Sequence, residues 1–314
     1  MDRASVIVAT LGRPERLGAL VDVVLADPGT LELVVVVDGP DATSVGVLEG
    51  LARKRPRVRP VPIGHVGHLR ALEVGVRQAT GEVVVLLDDD VLPAPGTIAG
   101  HAAHHRHRGG LVVAGPMPVV VPGGRAGSVG TRLYAAEYDR HVASLLRGER
   151  PVLDVLWAGN LSMRRADCLG AGLGSVDFRT FYHSDRDLGY RLASAGLVGR
   201  FDPALMASHL HQRSDDDFLR DARRQGAGRA ELHRVHAGRL GPFTPRAMVA
   251  DLSPPLAVAV RLAGTTRAAS ALASGLMGLG RWSARRGHGA FELAAARLAR
   301  RVMQCRGAVA GEGG

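Results

Sequence analysis

Three aspartates, Asp88-Asp89-Asp90, close the apolar run Glu82 to Leu87 (EVVVLL), and Asp38 closes Leu31 to Val37 (LELVVVV). In an open parallel sheet, ligands bind outside the carboxyl ends of the strands, which is where these acids fall. Asp88 and Asp90 occupy alternate positions and project to the same side. Two such carboxylates can hold a hard divalent cation, with diphosphate oxygens completing its shell. Three acids at a strand end are more often a solvated turn, but here they end an otherwise fully apolar strand. Other chemistries find no support. The G-x-x-x-x-G-K loop is absent, and the single lysine, Lys54, lies in RKRPRV. Gly170, Gly172 and Gly174 follow a helix pattern rather than the first strand, which argues against a dinucleotide fingerprint. HExxH is absent. His101, His104, His105 and His107 lie among Arg106 and Arg108 on what reads as a polar helix with no acid nearby, so they are read as structural or solvated.

The elements that must position these acids are legible from apolar patterning. The chain has 314 residues, 46% apolar and 22% charged, which describes one large domain, or one with an appendage, and excludes a disordered chain. Only 4% of residues are aromatic, so the core is aliphatic. Ser5 to Ala9 and Leu31 to Val37 read as buried parallel strands, with a helix from Pro14 between them. Val58 to Ile63 is a weaker strand, and Pro60 and Pro62 place it at an edge. His68 to Ala79 reads as a helix before the Glu82 strand. This β-α-β order predicts a mostly parallel sheet flanked by helices. Further on, Ile98 to Arg108 reads as a helix, Gly110 to Val121 as strand, Gly123 to Arg132 as a Gly-rich loop, and Leu133 to Leu146 as a helix. Asp154 to Arg164 crosses the sheet again, Asp185 to Ala195 is helical, Leu197 to Phe201 is the last strand, and Phe218 to Leu240 is a basic helix.

Five blocks in order carry a resemblance: SVIVATLGRPERL, VVVVDGPD, ATGEVVVLLDDDVLPAPG, WAGNLSMRRADCLGAGL and HSDRDLGYRLASAG. Together they resemble the family 2 glycosyltransferases of the GT-A fold. The likeness runs from about Ser5 to Leu240, which implies a catalytic domain over residues 1–240 and a helical basic region over 245–314. It implies an inverting transfer of a sugar from a nucleoside-diphosphate sugar to an acceptor hydroxyl, assisted by Mg2+ or Mn2+. Thr10, Arg13 and Glu15 then meet the nucleotide, and Asp38 binds its base or ribose. Asp88 and Asp90 match the D-x-D element, Asp88 towards the ribose with Asp89 beside it, and Asp90 on the metal. His209 and His211, in SHLHQ, match histidines beside the metal and diphosphate. Asp185 matches the catalytic base. Trp157, Gly159, Asn160 and Ser184 fall on the sugar or acceptor side. Three departures stand out. Ala71-Leu72-Glu73 replaces the A-R-N often found there, with Arg70 as a substitute one position away. Ser184 replaces an acid before Asp185, and Gly39-Pro40 follows a single aspartate.

Two other readings compete: a nucleotidyltransferase that makes sugar nucleotides, and a non-catalytic nucleotide-sugar or partner-binding protein of the same fold. The first wants a glycine-rich loop after the first strand, where Thr10-Leu11-Gly12-Arg13 has one glycine. The second would fit a chain lacking Asp90 or Asp185, and both are present. The net charge of +10 could signal nucleic acid, but no module for it is recognisable. Ten arginines against Asp251, Glu292 and Glu312 lie beyond Pro245. That Ala- and Leu-rich tail needs a surface to cover: the core's flank, a second subunit in a homodimer, or an anionic bilayer met peripherally at the inner membrane face. Its uncharged stretch Ala268 to Gly280 spans roughly 20 Å as a helix, short of a roughly 30 Å hydrocarbon core. With two cysteines, Cys168 and Cys305, and a start that runs straight into a strand, a cytoplasmic location is the expectation.

Overall fold

A computed structural model describes residues 3–120, 128–175, 177–212 and 214–311 of the chain. The Gly-rich loop read from Gly123 lies outside the described residues as far as 127. The chain divides into two compact units.

The first unit is an α/β sheet built from the predicted runs. β1 (Ala4–Thr10), α1 (Pro14–Ala26), β2 (Thr30–Asp38), α2 (Ala42–Lys54), β3 (Val58–Ile63), α3 (His68–Gln78) and β4 (Val83–Asp88) alternate in order. A short β5 (Val91–Pro93) leads to α4 (Thr97–His104) and β6 (Leu111–Ala114). After α5 (Val129–Leu146) come β7 (Asn160–Arg164), α6 (Arg165–Ala171), α7 (Ser184–Ser194), β8 (Val198–Phe201) and β9 (Ala207–His209). Seven strands form one sheet in the order β3-β2-β1-β4-β7-β6-β8, and β5 pairs with β9 in a second. The first four strands are parallel, and β7 runs antiparallel between β4 and β6. As Pro60 and Pro62 require, β3 is an edge.

Both faces of the sheet are covered, which explains unbroken Val and Leu runs instead of alternation with polar residues. Ile7, Val34, Val36 and Leu86 pack with Leu72 and Val76 of α3. Their neighbours Val6, Val8, Val35 and Leu87 pack on the other face with Leu17 and Leu20 of α1. Every one of these is 1–2% exposed or less, so the strands are fixed in register by burial on two sides. Some elements differ from the sequence reading. Asp154 to Arg164 is strand only from Asn160, because a 3-10 turn at Val152–Val155 precedes it. Gly110 to Val121 is regular strand only over Leu111–Ala114.

The second unit collects the described residues of Val121–Glu137, Asp177–Ser184 and Gln212–Gly314. It is helical: the start of α5, then α8 (Asp215–Val235), α9 (Ala237–Leu240), α10 (Pro254–Thr265), α11 (Ala269–Ala284) and α12 (Gly289–Gly311). The basic helix α8 therefore groups with the tail. Glycines make that packing close. A Cβ at Gly226 would lie 1.9 Å from the Gln304 carbonyl oxygen, and one at Gly307 1.8 Å from that of Arg223. Phe218, Ala273, Met277, Ala299 and Met303 share one core there, and Arg132–Glu292 and Arg300–Glu137 pairs at 2.5 Å flank it.

Candidate active site

The acids at the strand ends lie in two adjoining groups in the first unit. β1 and β4 are in register, Ala9 opposite Asp88, so the ends of both strands meet. Just beyond, the Thr10 hydroxyl donates to Asp89 (2.8 Å) and Arg13 donates to the same carboxylate (2.6 Å). Asp90 divides its oxygens. Oδ2 receives Arg16 (3.1 Å) and Arg13 (3.3 Å), while Oδ1 faces His209 Nε2 at 3.2 Å. The β5–β9 pair brings His209 there, since Val91 is its register partner and the Leu210 amide donates to the Asp90 carbonyl. His211 stacks beside it, ring centroids 5.0 Å apart. One donor atom from each of Asp90, His209 and His211 lies within 4.8 Å of the others.

Electrostatics split the two neighbouring acids. Burial raises Asp90, but the His209 hydrogen bond and charge, with Arg13 and Arg16, outweigh it and hold the carboxyl well below the usual range. Burial wins at Asp89, which is held above its ordinary value despite Arg13.

The second group is Asp88, His68 and Asp185. His68 Nε2 lies 3.3 Å from Asp88 Oδ1. Burial lowers His68, yet Asp88, with Asp185 and Asp89 behind it, holds its imidazolium above the ordinary value. Asp185, in the first turn of α7, accepts the Ala158 amide at 3.3 Å. Its carboxyl is pushed up to about 6, first by burial and then by Asp88. So Asp88 and Asp90 do not converge on one cation as their alternate spacing implied. The strand ends at Asp88, and the turn after it sends Asp90 to the histidines.

Known proteins place this arrangement. The profile described as "Glycosyltransferase like family 2" matches residues 2–228. The chain belongs to this family. No curated protein matches the sequence. Among solved structures, a mannosyltransferase from Pyrobaculum calidifontis in complex with GDP-Man and Mn2+ is 18% identical, with a TM-score of 0.56 over 95% of this chain and 85% of that one. GalNAc-T7 with UDP, GalNAc and Mn2+ is 14% identical, with a TM-score of 0.53 over 76% of this chain and 51% of that one. This chain thus spans about half the length of the second. The fold is that of the GT-A glycosyltransferases.

Several family-2 positions are placed differently from the sequence reading. Asn160 was set on the sugar or acceptor side, yet its side chain is fully buried, and its amide donates to the Leu205 (2.8 Å) and Pro116 (3.3 Å) carbonyls. Its oxygen meets His101 Nε2 at 2.9 Å. Its side chain thus hydrogen-bonds into the core, to Leu205, Pro116 and His101. Glu15 stays in solvent, with Arg16 at 3.9 Å. Arg70, exposed, donates to the Ser175 carbonyl (3.1 Å). Glu73, where the family often has asparagine, instead accepts the Leu173 and Gly174 amides, both at 3.0 Å. Ser184 turns its hydroxyl back to the Phe181 carbonyl (2.7 Å). Trp157 stacks on His141 with centroids 5.1 Å apart. Gly159 is required by close approach: a Cβ there would lie 2.7 Å from Asp88 Oδ2. Asp38 is buried, and its carboxylate accepts the Val66 (2.7 Å) and Gly67 (3.0 Å) amides, so it shapes the loop leading into α3. Arg16 and His68 escaped the sequence reading. Arg16 shares a helix face with Arg13, three residues earlier, which was the available signal.

The histidines of α4 are neither solvated nor without an acid. His101 and His105 lie with Ile98 and Ala102 on its buried face, and His104 meets Asp202 at 2.6 Å. Because the Asn160 amide nitrogen is spent on carbonyls, its oxygen accepts from His101 Nε2–H. His101 Nδ1 then accepts from Ser162, whose oxygen accepts from His105 Nε2, both at 2.8 Å. Burial keeps both imidazoles neutral, His101 and His105 each held at about 4. Stability from them is complete above the unfolded value of about 6.5 and is lost as the pH falls through about 4. Melting temperatures measured across this window should fall steeply, with His101 alone worth up to about 3 kcal/mol. A flat profile from pH 7 to 4.5 would show that these imidazoles are solvated.

Proposed function

We propose that this chain transfers a sugar from a nucleoside-diphosphate sugar to an acceptor hydroxyl with inversion at the anomeric carbon. A divalent cation, Mg2+ or Mn2+, is held by Asp90, His209 and His211. The observation that carries this reading is that donor set: one ionised carboxylate and two imidazoles within 4.8 Å, in a family-2 glycosyltransferase. The residues fit a cation that would replace the His209–Asp90 Oδ1 contact, while Asp90 Oδ2 keeps its arginines. When bound, such an ion neutralises charge on the departing diphosphate.

The chain's own groups do the rest. Arg13 and Arg16 lie where a diphosphate meets the ends of β1 and β4 and add fixed positive charge. Thr10 and Asp38 border the nucleotide side. Asp185 Oδ accepts the proton of the acceptor hydroxyl as it attacks C1, and with one base and back-side displacement the configuration inverts. The two neighbours solved with Mn2+ and nucleotides or sugars lend support to this reading. The site is read as operating in the cytoplasm.

Thermal shifts with a panel of nucleoside diphosphates and their sugars, with and without Mn2+, test it. A cognate donor at about 100 times its Kd stabilises the fold by about 2.7 kcal/mol, and the shift needs the ion. No shift from any nucleotide with either Mn2+ or Mg2+ would refute the reading.

A further inference from the structure

The C-terminal helices keep their small residues inside and leave large ones out. α11 buries Ala269, Ala273, Met277 and Gly280, whereas Leu272, Leu279 and Trp282 are 45%, 48% and 55% exposed. These three follow at intervals of seven and three, one stripe along the helix, and Arg286 lies in the turn just beyond its end. α10 repeats the pattern: Val260 and Gly264 face inward, and Val258 and Leu262 are 51% and 63% exposed. Internal packing explains the buried faces, since Gly264 lies against Cys305 and Gly280 against Glu292 and Ala295 of α12. It does not explain the outer ones. Scattered exposed leucines are ordinary, but a run of them along two successive helices marks a contact surface.

Charge says which contact. Residues 254–291 carry five arginines and no aspartate or glutamate. The Arg286 guanidinium lies over the Trp282 ring, 3.8 Å from its centroid, joining an aromatic plate to a cation at the edge of the stripe. A second copy of this chain fits poorly, because a two-fold interface uses the same surface on both copies, and residues 254–291 offer no acid to meet the other copy's arginines. Among the described residues no helix is long and apolar enough to cross a membrane. Arg281 is taken by Asp215 of α8, but the segment's exposed apolar side chains, its tryptophan and its other arginines, with no acid of its own, are the composition of a helix lying in a lipid interface.

We propose that the outer faces of α10 and α11 dock in the plane of an anionic lipid bilayer. Leu262, Leu272, Leu279 and Trp282 enter the acyl boundary, and Arg261, Arg267, Arg285 and Arg286 meet headgroup phosphates.

Sedimentation of the full chain with vesicles tests this. The protein should pellet with phosphatidylcholine containing roughly a third phosphatidylglycerol, stay in the supernatant with phosphatidylcholine alone, and be released by salt. The emission lost in Trp282→Phe should shift to the blue on anionic vesicles. Arg285→Gln with Arg286→Gln should weaken partition by about tenfold or more, and Leu279→Ser with Trp282→Ser should abolish it at unchanged melting temperature. The vesicle and emission readings use wild-type protein or one conservative variant, so they stand even if the double variants fold poorly. Wild type remaining in the supernatant with anionic vesicles overturns the proposal. So does equal pelleting on neutral lipid, or a wild-type dimer that Leu279→Ser with Trp282→Ser converts to monomer.

Discussion

Asp185→Asn lowers turnover by roughly 10²–10⁴ while leaving donor affinity little changed. The substitution keeps the side chain's size and one hydrogen-bond acceptor, so the Ala158 amide, 3.3 Å away, retains a partner. What it removes is the proposed base, a carboxyl pushed up to about 6 by burial and by Asp88. A base poised there is strong enough to take a hydroxyl proton yet ionised at neutral pH. The wild-type rate should therefore rise with pH through about 6 and level off above it, because only the deprotonated form accepts a proton. In Asp185→Asn that acid limb disappears along with the rate. Single-turnover kinetics across pH 5 to 8 read both effects. If the variant instead loses donor affinity and keeps its turnover number, Asp185 binds donor and another group is the base.

The placement of the acids was legible because burial fixes strands. Unbroken apolar runs such as Leu33 to Val37 and Val83 to Leu87 can only be covered on both faces, so the acids that end them must lie at the sheet's rim, as Asp38 and Asp88 do. Pro60 and Pro62 told the edge for the same kind of reason: each lacks a donor. What the sequence hid depends on pairing between distant segments. β5 and β9 are three residues each, too short to leave a pattern, yet they bring His209 to Asp90. Beside Arg106 and Arg108 the histidines of α4 read as structural or solvated, and the structure takes the structural side. Their spacing, His101 and His105 with Ile98 and Ala102, was in fact that of one buried face, and only partners on β7 make such a face affordable. Asn160 was misplaced for the same reason. It stood in a family block, but its position in an antiparallel strand between β4 and β6 turns it into the core. Arg16 and His68 gained their roles only when β4 ended beside α1 and α3.

Asp90→Asn should abolish the Mn2+-dependent part of donor binding, and with it transfer. A strand-end acid looks dispensable to the fold, but this one is not. It is 9% exposed and is the shared partner of Arg13, Arg16 and His209. Neutralising it leaves Arg13 with Asp89 and Arg16 with the exposed Glu15, but it removes the carboxylate that Arg16 and His209 both meet. The cost lies between those of an exposed and a buried ion pair, about 1–3 kcal/mol. The variant should thus melt earlier than wild type and lose its response to Mn2+, two effects that can be separated. Adding Mn2+ to wild type should raise the melting temperature, and adding it to Asp90→Asn should not. His209→Ala should lose the same response by removing a second donor, while Asp88→Asn, outside the donor set, should keep it. Excess EDTA should silence wild type, with recovery on adding Mn2+. Full activity in EDTA, or an undiminished Mn2+ shift in Asp90→Asn, would show that the arginines alone carry the diphosphate and that the three donor atoms hold no ion.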